Sequence, residues 1–285
     1  MEQDGNVSKI FKAELTDAEF SKLSQFIMSE YGIKMPPEKK IMLQSRLQKR
    51  LKTLGMDNFK DYIEYLFSPH GMSEEVIHMM DVVSTNKTDF FRESVHFDFM
   101  LSTALPKLCE KYPHGNLNIW SAGCSSGEEP YTIAITMCEF KETHPTSNYE
   151  IFATDISTQM LETAYSGIYK EERIADIPFV LKKKYFLKSK NKEEKKVRVK
   201  SDLRSKIKYD RINLLELRPV RDPKYHIVFC RNVLIYFDRP TQLQILTALC
   251  SNILPGGYLF LGHSESISGF DLPIKTQIPT VFLKQ

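Results

Sequence analysis

Hydrophobic and polar positions follow two different patterns along the chain, and the change falls near Pro113. From about residue 15 to 80 the apolar residues recur at helical spacing. A first helix is predicted to end at Gly32, and a second to run from Pro36 to Gly55. The apolar face of the second helix comprises Leu43, Leu47, Leu51 and Leu54. The pattern therefore predicts an N-terminal helical region.

After Pro113 short strand patterns alternate with helical patterns. Strands are predicted in NLNIWSA, YEIFATD, IKYDRINL, YHIVFCRN and YLFLGHSE. Helices are predicted in EEPYTIAITMCEF, STQMLETAYSG and RPTQLQILTALCSNIL. The last segment, PTVFLKQ, fits an edge strand. This alternation is typical of a doubly wound α/β sheet.

One segment, residues 170–206, interrupts this alternation because it is too polar for the core of a sheet. Within it, KYFLKS and KKVRVKS have the pattern of two strands that pair as a hairpin. Two interpretations stay open at this point: a solvated insertion and a subdomain that binds a partner.

Charge is spread unevenly, although the whole chain carries only +3. Residues 170–211 contain sixteen basic and seven acidic side chains, and residues 34–52 contain seven basic side chains and one acidic. Locally basic surfaces indicate an acidic partner, which is a nucleic acid, an anionic lipid or an acidic protein.

Composition narrows the class of protein. The chain has 285 residues, of which 42% are hydrophobic and 26% charged, as in ordinary globular proteins. We expect no secretory signal and no membrane span, because neither the N-terminus nor any other stretch has a long enough apolar run. The five cysteines are scattered and lack a CxxC pair, which favours a reducing cytoplasm over a disulfide framework or a zinc site.

A run of small residues, Ala122 to Gly127, lies between the predicted strand NLNIWSA and the helix after it. Small side chains let a ligand approach the backbone, and ligands of open α/β sheets bind beyond the carboxyl ends of the strands. The run is not a phosphate-binding motif, because its glycines are four residues apart and no P-loop lysine follows. A turn that binds nothing is the other interpretation.

Glu128 and Glu129 begin the helix after this run. Carboxylates at a helix N-terminus stabilise the helix, but beside a ligand they would repel a pyrophosphate. They suit a ligand that has a positive charge and a ribose. S-adenosylmethionine has a sulfonium, an α-ammonium and an adenosine but no phosphate. The sequence therefore favours a methyl donor over NAD or ATP.

Polar residues also stand where the next strands are predicted to end. Asp155 ends YEIFATD, and an acidic residue at this point typically accepts hydrogen bonds from ribose hydroxyls. Asn213 and Asn232 follow the next two strands, and asparagine offers both a donor and an acceptor to a nucleoside or amino-acid group. The alternatives are a helix cap for Asp155 and local turn bonds for the asparagines.

Several motifs together resemble the CheR-type chemotaxis receptor methyltransferases. The motifs are, in chain order, TNKTDFFRE, WSAGCSSGEEPYTIA, FATDI, GIY, INLLE, FCRNVLIYFD and LFLGHSES. The resemblance implies an N-terminal helical domain (residues 1–85) and an S-adenosylmethionine-dependent, Rossmann-like α/β methyltransferase domain (residues 86–285). It also implies a small inserted antiparallel β-subdomain (residues 170–206). The loop of this subdomain, LKSKNKEEKK, contains no glycine. It differs in this from the loop of some family members, which carries glycines and grips a peptide at the receptor's C-terminal tail.

The resemblance also implies roles for individual residues. The donor would be bound by Asn86, Thr88, Arg92, Glu129, Asp155, Asn213, Leu214, Asn232 and Val233. Tyr236 would lie near the transferred methyl group, where its hydroxyl could orient a carboxylate oxygen, and Arg92 would hold the donor or the substrate carboxylate. Lys39, Arg46 and Arg50 would dock the substrate, because receptor methylation helices are rich in glutamate.

The implied reaction is the methylation of glutamate side chains on the cytoplasmic helices of chemoreceptors (methyl-accepting chemotaxis proteins), with S-adenosylhomocysteine as product. A glutamate is already ionised at neutral pH, so this chemistry needs no general base and no metal. We expect a cytoplasmic monomer that binds no nucleic acid and meets the membrane only through receptors. The rival functions are a nucleic-acid methyltransferase, a NAD-dependent oxidoreductase and a non-catalytic S-adenosylmethionine-binding sensor or scaffold. No Pro-Pro pair follows the fourth strand and no GxGxxG is present, which disfavours the first two.

Overall fold

The computed structural model describes residues 13–113, 115–222 and 224–285, with Lys192 described by its backbone alone. Residues 1–12, where no secretory signal is expected, lie outside this part. The described residues form two compact units. The first extends to Thr85 and includes the short stretch Tyr236–Asp238, and the second comprises Asn86–Ile235 and Arg239–Gln285. The domain bounds expected from the sequence stay predictions.

The first unit is helical, as the spacing of its apolar residues predicts. Its helices are α1 (Asp17–Tyr31), α2 (Lys40–Leu54), α3 (Phe59–Leu66), α4 (Pro69–Ser73) and α5 (Glu75–Val83). Thr16 caps α1 through a reciprocal pair of hydrogen bonds with Glu19, and left-handed glycines end α1 at Gly32 and α2 at Gly55. The leucines at helical spacing on α2 lie in the core, and three of them are fully buried: Leu43, Leu47 and Leu51.

The second unit contains the remaining helices and all the strands of the described residues. Its helices are α6 (Val95–Phe99), α7 (Leu105–Lys111), α8 (Glu128–Thr143), α9 (Thr158–Ser166), α10 (Phe179–Tyr185), α11 (Ser201–Arg204) and α12 (Arg239–Asn252). A π-helical turn, Met100–Ala104, joins α6 to α7. The strands are β1 (Asn116–Ala122), β2 (Asn148–Asp155), β3 (Ile168–Lys170), β4 (Phe186–Lys188), β5 (Lys196–Val199), β6 (Ile207–Arg211), β7 (Tyr225–Cys230), β8 (Ile253–Leu261), β9 (Ile274–Ile278) and β10 (Val281–Lys284).

Seven strands form one sheet in the order β6-β2-β1-β7-β8-β10-β9. The first five are mutually parallel, and β10 is antiparallel to both of its neighbours. This is the α/β architecture that the alternating pattern predicts. Among the residues that the structure describes, no helix combines the length and the apolar character needed to cross a membrane.

The last strand is placed differently from the prediction. PTVFLKQ was expected at an edge of the sheet, but β10 lies between β8 and β9, and β9 forms the edge. The sequence IKTQI of β9 carries exposed polar residues, which is typical of an edge strand and makes its hydrophobic pattern weak. The prediction was therefore wrong because a short polar strand gives little periodic signal.

The polar segment forms a small antiparallel sheet of its own. The predicted hairpin is confirmed by the pairing of β4 with β5, and β3 adds a third strand on the other side of β5. The three residues of β3 are too few for alternation to show in the sequence. Val197 and Val199 of β5 are buried, so this segment contributes to the core of the unit.

Candidate functional site

The carboxyl ends of five parallel strands lie along one edge of the large sheet. The chain runs outward from β1 through β2 to β6 on one side, and returns to β7 and β8 on the other. The strand order therefore reverses at β1 and β7, which is where open α/β sheets bind ligands. The predicted site residues that follow β1, β2, β6 and β7 consequently belong to one edge.

The loop after β1 is closely packed against its neighbours. The N–H groups of Gly123 and Cys124 both donate to the Thr154 carbonyl, at 2.7 and 2.9 Å. Gly123 has φ +85°, and a Cβ added there would lie 2.4 Å from Cγ2 of Val233. The loop after β1 thus approaches the turn after β7 with no room for a side chain between them.

The carboxylate of Asp155 supports this loop. One of its oxygens accepts a hydrogen bond from the N–H of Ser125 at 2.7 Å, and the other accepts from the N–H of Ser157 at 2.9 Å. Helix α9 is capped by Ser157, whose hydroxyl accepts from the N–H of Met160. The aspartate at the end of β2 therefore holds the loop, and Ser157 is the N-cap of the helix.

The segment predicted to line the donor site lies beside the same loop. The carbonyl of Asn86 accepts a hydrogen bond from the Ser125 hydroxyl at 2.9 Å. The Arg92 guanidinium donates to the Lys87 carbonyl at 2.9 Å, and the Thr88 carbonyl accepts from Arg173. The backbone of Asn86 therefore lies next to the loop after β1.

Glu128 and Glu129 have different surroundings. Glu128 is buried and accepts hydrogen bonds from the Ser126 hydroxyl and from Arg173, which comes from the polar segment. Glu129 has a side chain that is 12% exposed, and it accepts from the Ser121 hydroxyl at 2.7 Å and from Arg231 at 3.2 Å. Burial raises the pKa of Glu129, against the opposing effect of Arg231. Glu128 therefore connects the start of α8 to the polar segment, whereas the Glu129 side chain is partly exposed.

Arg231 is an organising residue that the sequence analysis did not single out. Its side chain is 2% exposed, and its guanidinium donates to Glu129 at 3.2 Å, to Glu93 at 3.1 Å and to the Arg92 carbonyl. Its guanidinium also lies 5.4 Å from the centre of the Phe97 ring. A charged residue within the apolar stretch VFCRNVLIYF is a signal that sequence analysis can use, because a buried arginine requires acidic partners.

Asn232 follows Arg231 in a left-handed conformation, with φ 60°. Its side-chain amide donates to Glu93 at 3.3 Å. Asn213, after β6, accepts the N–H of Leu215 at 3.1 Å, so the local turn bond is present there, and Leu214 is buried. Glu265, also not singled out from the sequence, accepts the backbone N–H groups of residues 232–234.

Three side chains have possible metal-ligand atoms within 4.8 Å of one another: Glu93, His96 and His263. The same Glu93 oxygen that faces both histidines lies 3.1 Å from Arg231. A second cation there would be repelled by the guanidinium, which disfavours a metal among these three residues. Burial and the charge of Arg231 lower the pKa of His96 to about 4.

The remaining predicted site residues belong to the helical unit. Tyr236 groups with this unit. Arg50 forms a two-pronged ion pair with the buried Glu75, at 2.9 and 2.7 Å, and Arg46 donates to the carbonyl of Ser84 at 3.0 Å. Lys39 donates to the Lys34 carbonyl at 3.1 Å. Arg46 and Arg50 therefore have structural partners inside the unit.

The chain matches two family models. Residues 18–84 match the all-alpha domain of CheR methyltransferases, and residues 86–280 match their S-adenosylmethionine-binding domain. The chemotaxis protein methyltransferase of Borreliella burgdorferi is 41% identical over 260 residues, which are 90% of this chain and 90% of the relative. Those of Klebsiella aerogenes and Escherichia coli are 38% and 35% identical, over 89% and 94% of this chain and 85% and 91% of the relatives.

Proposed function

The chain belongs to the CheR family of S-adenosylmethionine-dependent methyltransferases, and from this we propose that it methylates the side-chain carboxylates of glutamates on chemoreceptors. The observation that carries the proposal is the similarity to chemotaxis protein methyltransferases across both domains. The proposed substrate is the cytoplasmic helical part of the receptor, and the proposed enzyme is a cytoplasmic monomer that needs no metal.

The charges at the edge of the sheet fit a cationic donor without phosphate. Carboxylates outnumber guanidinium groups among the residues described above: Glu93, Glu128, Glu129, Asp155 and Glu265 against Arg92, Arg173 and Arg231. A pyrophosphate placed here would meet net negative charge, whereas an ammonium or a sulfonium is attracted. We assign donor binding to the residues named from the family motifs, with Glu129 at the methionine portion and Asp155 at the ribose.

When bound, S-adenosylmethionine would supply the methyl group to the glutamate oxygen, and the electron pair of its carbon–sulfur bond would remain on sulfur. The accepting carboxylate is ionised at neutral pH, so no residue has to remove a proton. The protein has to align the two groups and exclude water, because opposite charges disappear in the transition state. Arg92 is proposed to hold the donor or the substrate carboxylate, and the Tyr236 hydroxyl to orient the accepting oxygen.

Docking of an acidic receptor helix is proposed for the exposed cations of the helical unit. Of the three basic residues predicted from the sequence, Arg46 and Arg50 are engaged inside the unit, and Lys39 is half-buried. Ile41, Ser45, Lys49 and Lys52 recur at helical spacing on the exposed side of α2. We therefore add Lys49 and Lys52 to the proposed docking surface, beside Lys39.

A transfer assay tests the proposal. The protein is incubated with methyl-labelled S-adenosylmethionine and membranes that contain chemoreceptors, and the label is released with mild base and located by peptide mapping. Base-labile label on receptor glutamates is the expected result. Membranes with glutamine at the mapped positions are the matched control and should take up no label. Donor binding in calorimetry without transfer to any receptor would overturn the proposal, as would label found on nucleic acid instead.

A further inference from the structure

A single buried carboxylate holds the turn that follows β7. Glu265 is 7% exposed and accepts four backbone N–H groups. One oxygen accepts from Val233 at 2.8 Å and from Leu234 at 2.7 Å. The other accepts from Asn232 at 3.0 Å and from Gly262 at 2.5 Å. Glu265 thereby joins the ends of β7 and β8, two neighbouring parallel strands.

The turn needs such support because three of its backbone N–H groups depend on one acceptor. Asn232 is in a left-handed conformation, with φ 60°, which asparagine adopts more readily than most other residues with a side chain. Three successive N–H groups, from Asn232 to Leu234, then point in one direction and would lack partners if the carboxylate were absent. Buried N–H groups without acceptors are costly, so the carboxylate and the turn require each other.

The chemistry of the contact requires a carboxylate. Four donors meet two oxygens, and only an ionised Asp or Glu side chain presents two oxygens that accept without donating. A glutamine of the same shape would turn its NH₂ group toward two N–H groups. Gly262 is equally constrained, since an added Cβ would lie 2.4 Å from the side-chain nitrogen of Asn232.

The turn carries two residues of the proposed donor site. The Asn232 amide donates to Glu93, and Val233 lies against Gly123 in the loop after β1. A shift of this turn would therefore move Asn232 and Val233 together. We propose that Glu265 is a positioning residue for donor binding, acting through the backbone of residues 232–234. This inference rests on the proposed contacts of Asn232 and Val233 with the donor.

Calorimetry with S-adenosylhomocysteine tests the inference without a receptor substrate. Glu265→Gln and Glu265→Asp are compared with Glu110→Gln, an exposed glutamate on α7. We expect Glu265→Gln to bind the product about tenfold more weakly, and Glu265→Asp, which keeps both acceptors, to bind with an affinity between that of Glu265→Gln and that of the unaltered protein. In the transfer assay, the KM for the donor should rise while kcat at saturating donor changes much less.

Each outcome of the binding and transfer measurements supports or overturns the positioning role of Glu265. Unchanged affinity in folded Glu265 variants overturns the inference, and so does a fall in kcat without a rise in KM. If neither variant folds, Glu265 serves the stability of the domain and the positioning role is overturned as well. Asn232→Gly, which suits φ 60° and removes the side chain, separates the two levels of the argument. If it leaves the affinity unchanged, the proposed donor contact fails, and if it alone weakens binding, only the role of Glu265 fails.

Discussion

Single buried side chains join the segments around the edge of the sheet. Arg231 connects Glu93, from the segment before α6, with Glu129 at the start of α8. Removing one partner from such a buried network leaves an uncompensated charge, which typically costs about 3–5 kcal/mol. The residues that the family resemblance implies near the donor are therefore supported by residues whose partners are visible only in three dimensions.

Tyr236 allows a test of the proposed chemistry at the level of one hydroxyl. Tyr236→Phe should lower kcat by about tenfold or more and leave the affinity for S-adenosylhomocysteine unchanged, because the hydroxyl is proposed to orient the accepting oxygen. Steady-state transfer and calorimetry give the two quantities. Tyr165→Phe, at a tyrosine that is 73% exposed, is the control. A kcat equal to that of the control would remove Tyr236 from the mechanism.

His96 links the stability of the second unit to pH. Burial, with the charges of Arg231 and His263, lowers its pKa from 6.5 to about 4, and Glu93 acts in the opposite direction. The unfolded chain takes up a proton near pH 6.5, whereas the folded protein resists protonation until about pH 4. The free energy of unfolding should therefore fall as the pH drops through this window, by up to about 3 kcal/mol from this residue.

Urea unfolding at several pH values, followed by the fluorescence of the single tryptophan, Trp120, measures this dependence. His96→Gln can keep the hydrogen bond that His96 makes with Thr280 but does not titrate, so the dependence on pH should become shallower. His70→Gln, at an exposed histidine, should keep the full dependence. Equal dependence in all three proteins would contradict the prediction.

Secondary-structure elements were predictable where a long apolar period supported them. Helices α1 and α2 and strands β1, β2 and β7 follow from periodicity and from end signals such as Gly32 and Gly55. The short strands β3 and β9 were missed, because three to five residues are too few to show a measurable period. Short elements are fixed by their neighbours in the sheet, and this information is absent from the local sequence.

Site residues also divide into those that a local sequence signal marks and those whose role depends on distant partners. The motif residues after β1 and β7 could be placed because strand ends and small residues mark them in the sequence. Arg231 and Glu265 were not recognised as supports, because their partners are distant in sequence: Glu129 is 102 residues from Arg231, and the N–H of Val233 is 32 residues from Glu265. The donor contacts of the motif residues stay predictions.

The loop between β1 and α8 depends on a glycine at its end. Gly127 has φ +97°, and an added Cβ would lie 2.7 Å from the Ala164 Cβ and 2.9 Å from the Tyr169 hydroxyl. Gly127→Ala should lower the free energy of unfolding by about 2–4 kcal/mol, because backbone strain adds to steric overlap.

Gly269→Ala is the matched control, since Gly269 has φ +78° and an added Cβ would lie 3.7 Å from the tip of the Arg239 side chain, which is ordinary van der Waals contact. It should cost about 1–2 kcal/mol from strain alone. Urea unfolding monitored at Trp120 compares the two variants within one unit. Equal losses would show that contact with α9 does not constrain Gly127.

At the scale of the whole molecule, the two clusters of positive charge lie in the basic segment (residues 170–211) and in the helical unit. In the basic segment two lysines pair with carboxylates outside it: Lys184 with Glu139 and Glu142, and Lys208 with Glu150. In the helical unit, Lys49 and Lys52 are exposed on α2. These pairs lower the net positive charge that the basic segment presents, and the helical unit is kept as the proposed docking surface because it carries the basic residues that the family resemblance implies.

Reversing two charges on this surface tests the docking proposal. Lys39→Glu combined with Lys49→Glu should raise the KM for receptor about tenfold at low ionic strength and much less at about 0.5 M salt, because exposed charges are screened. Arg50 is unsuitable, since a glutamate there would face the buried Glu75 and destabilise the unit. Lys107→Glu combined with Lys275→Glu changes the net charge equally on exposed residues of the other unit. Only charges near a docked helix attract it, so this control pair should leave the KM for receptor nearly unchanged. An equal rise of KM in both double variants would mean that net charge, rather than a docking surface, governs the encounter.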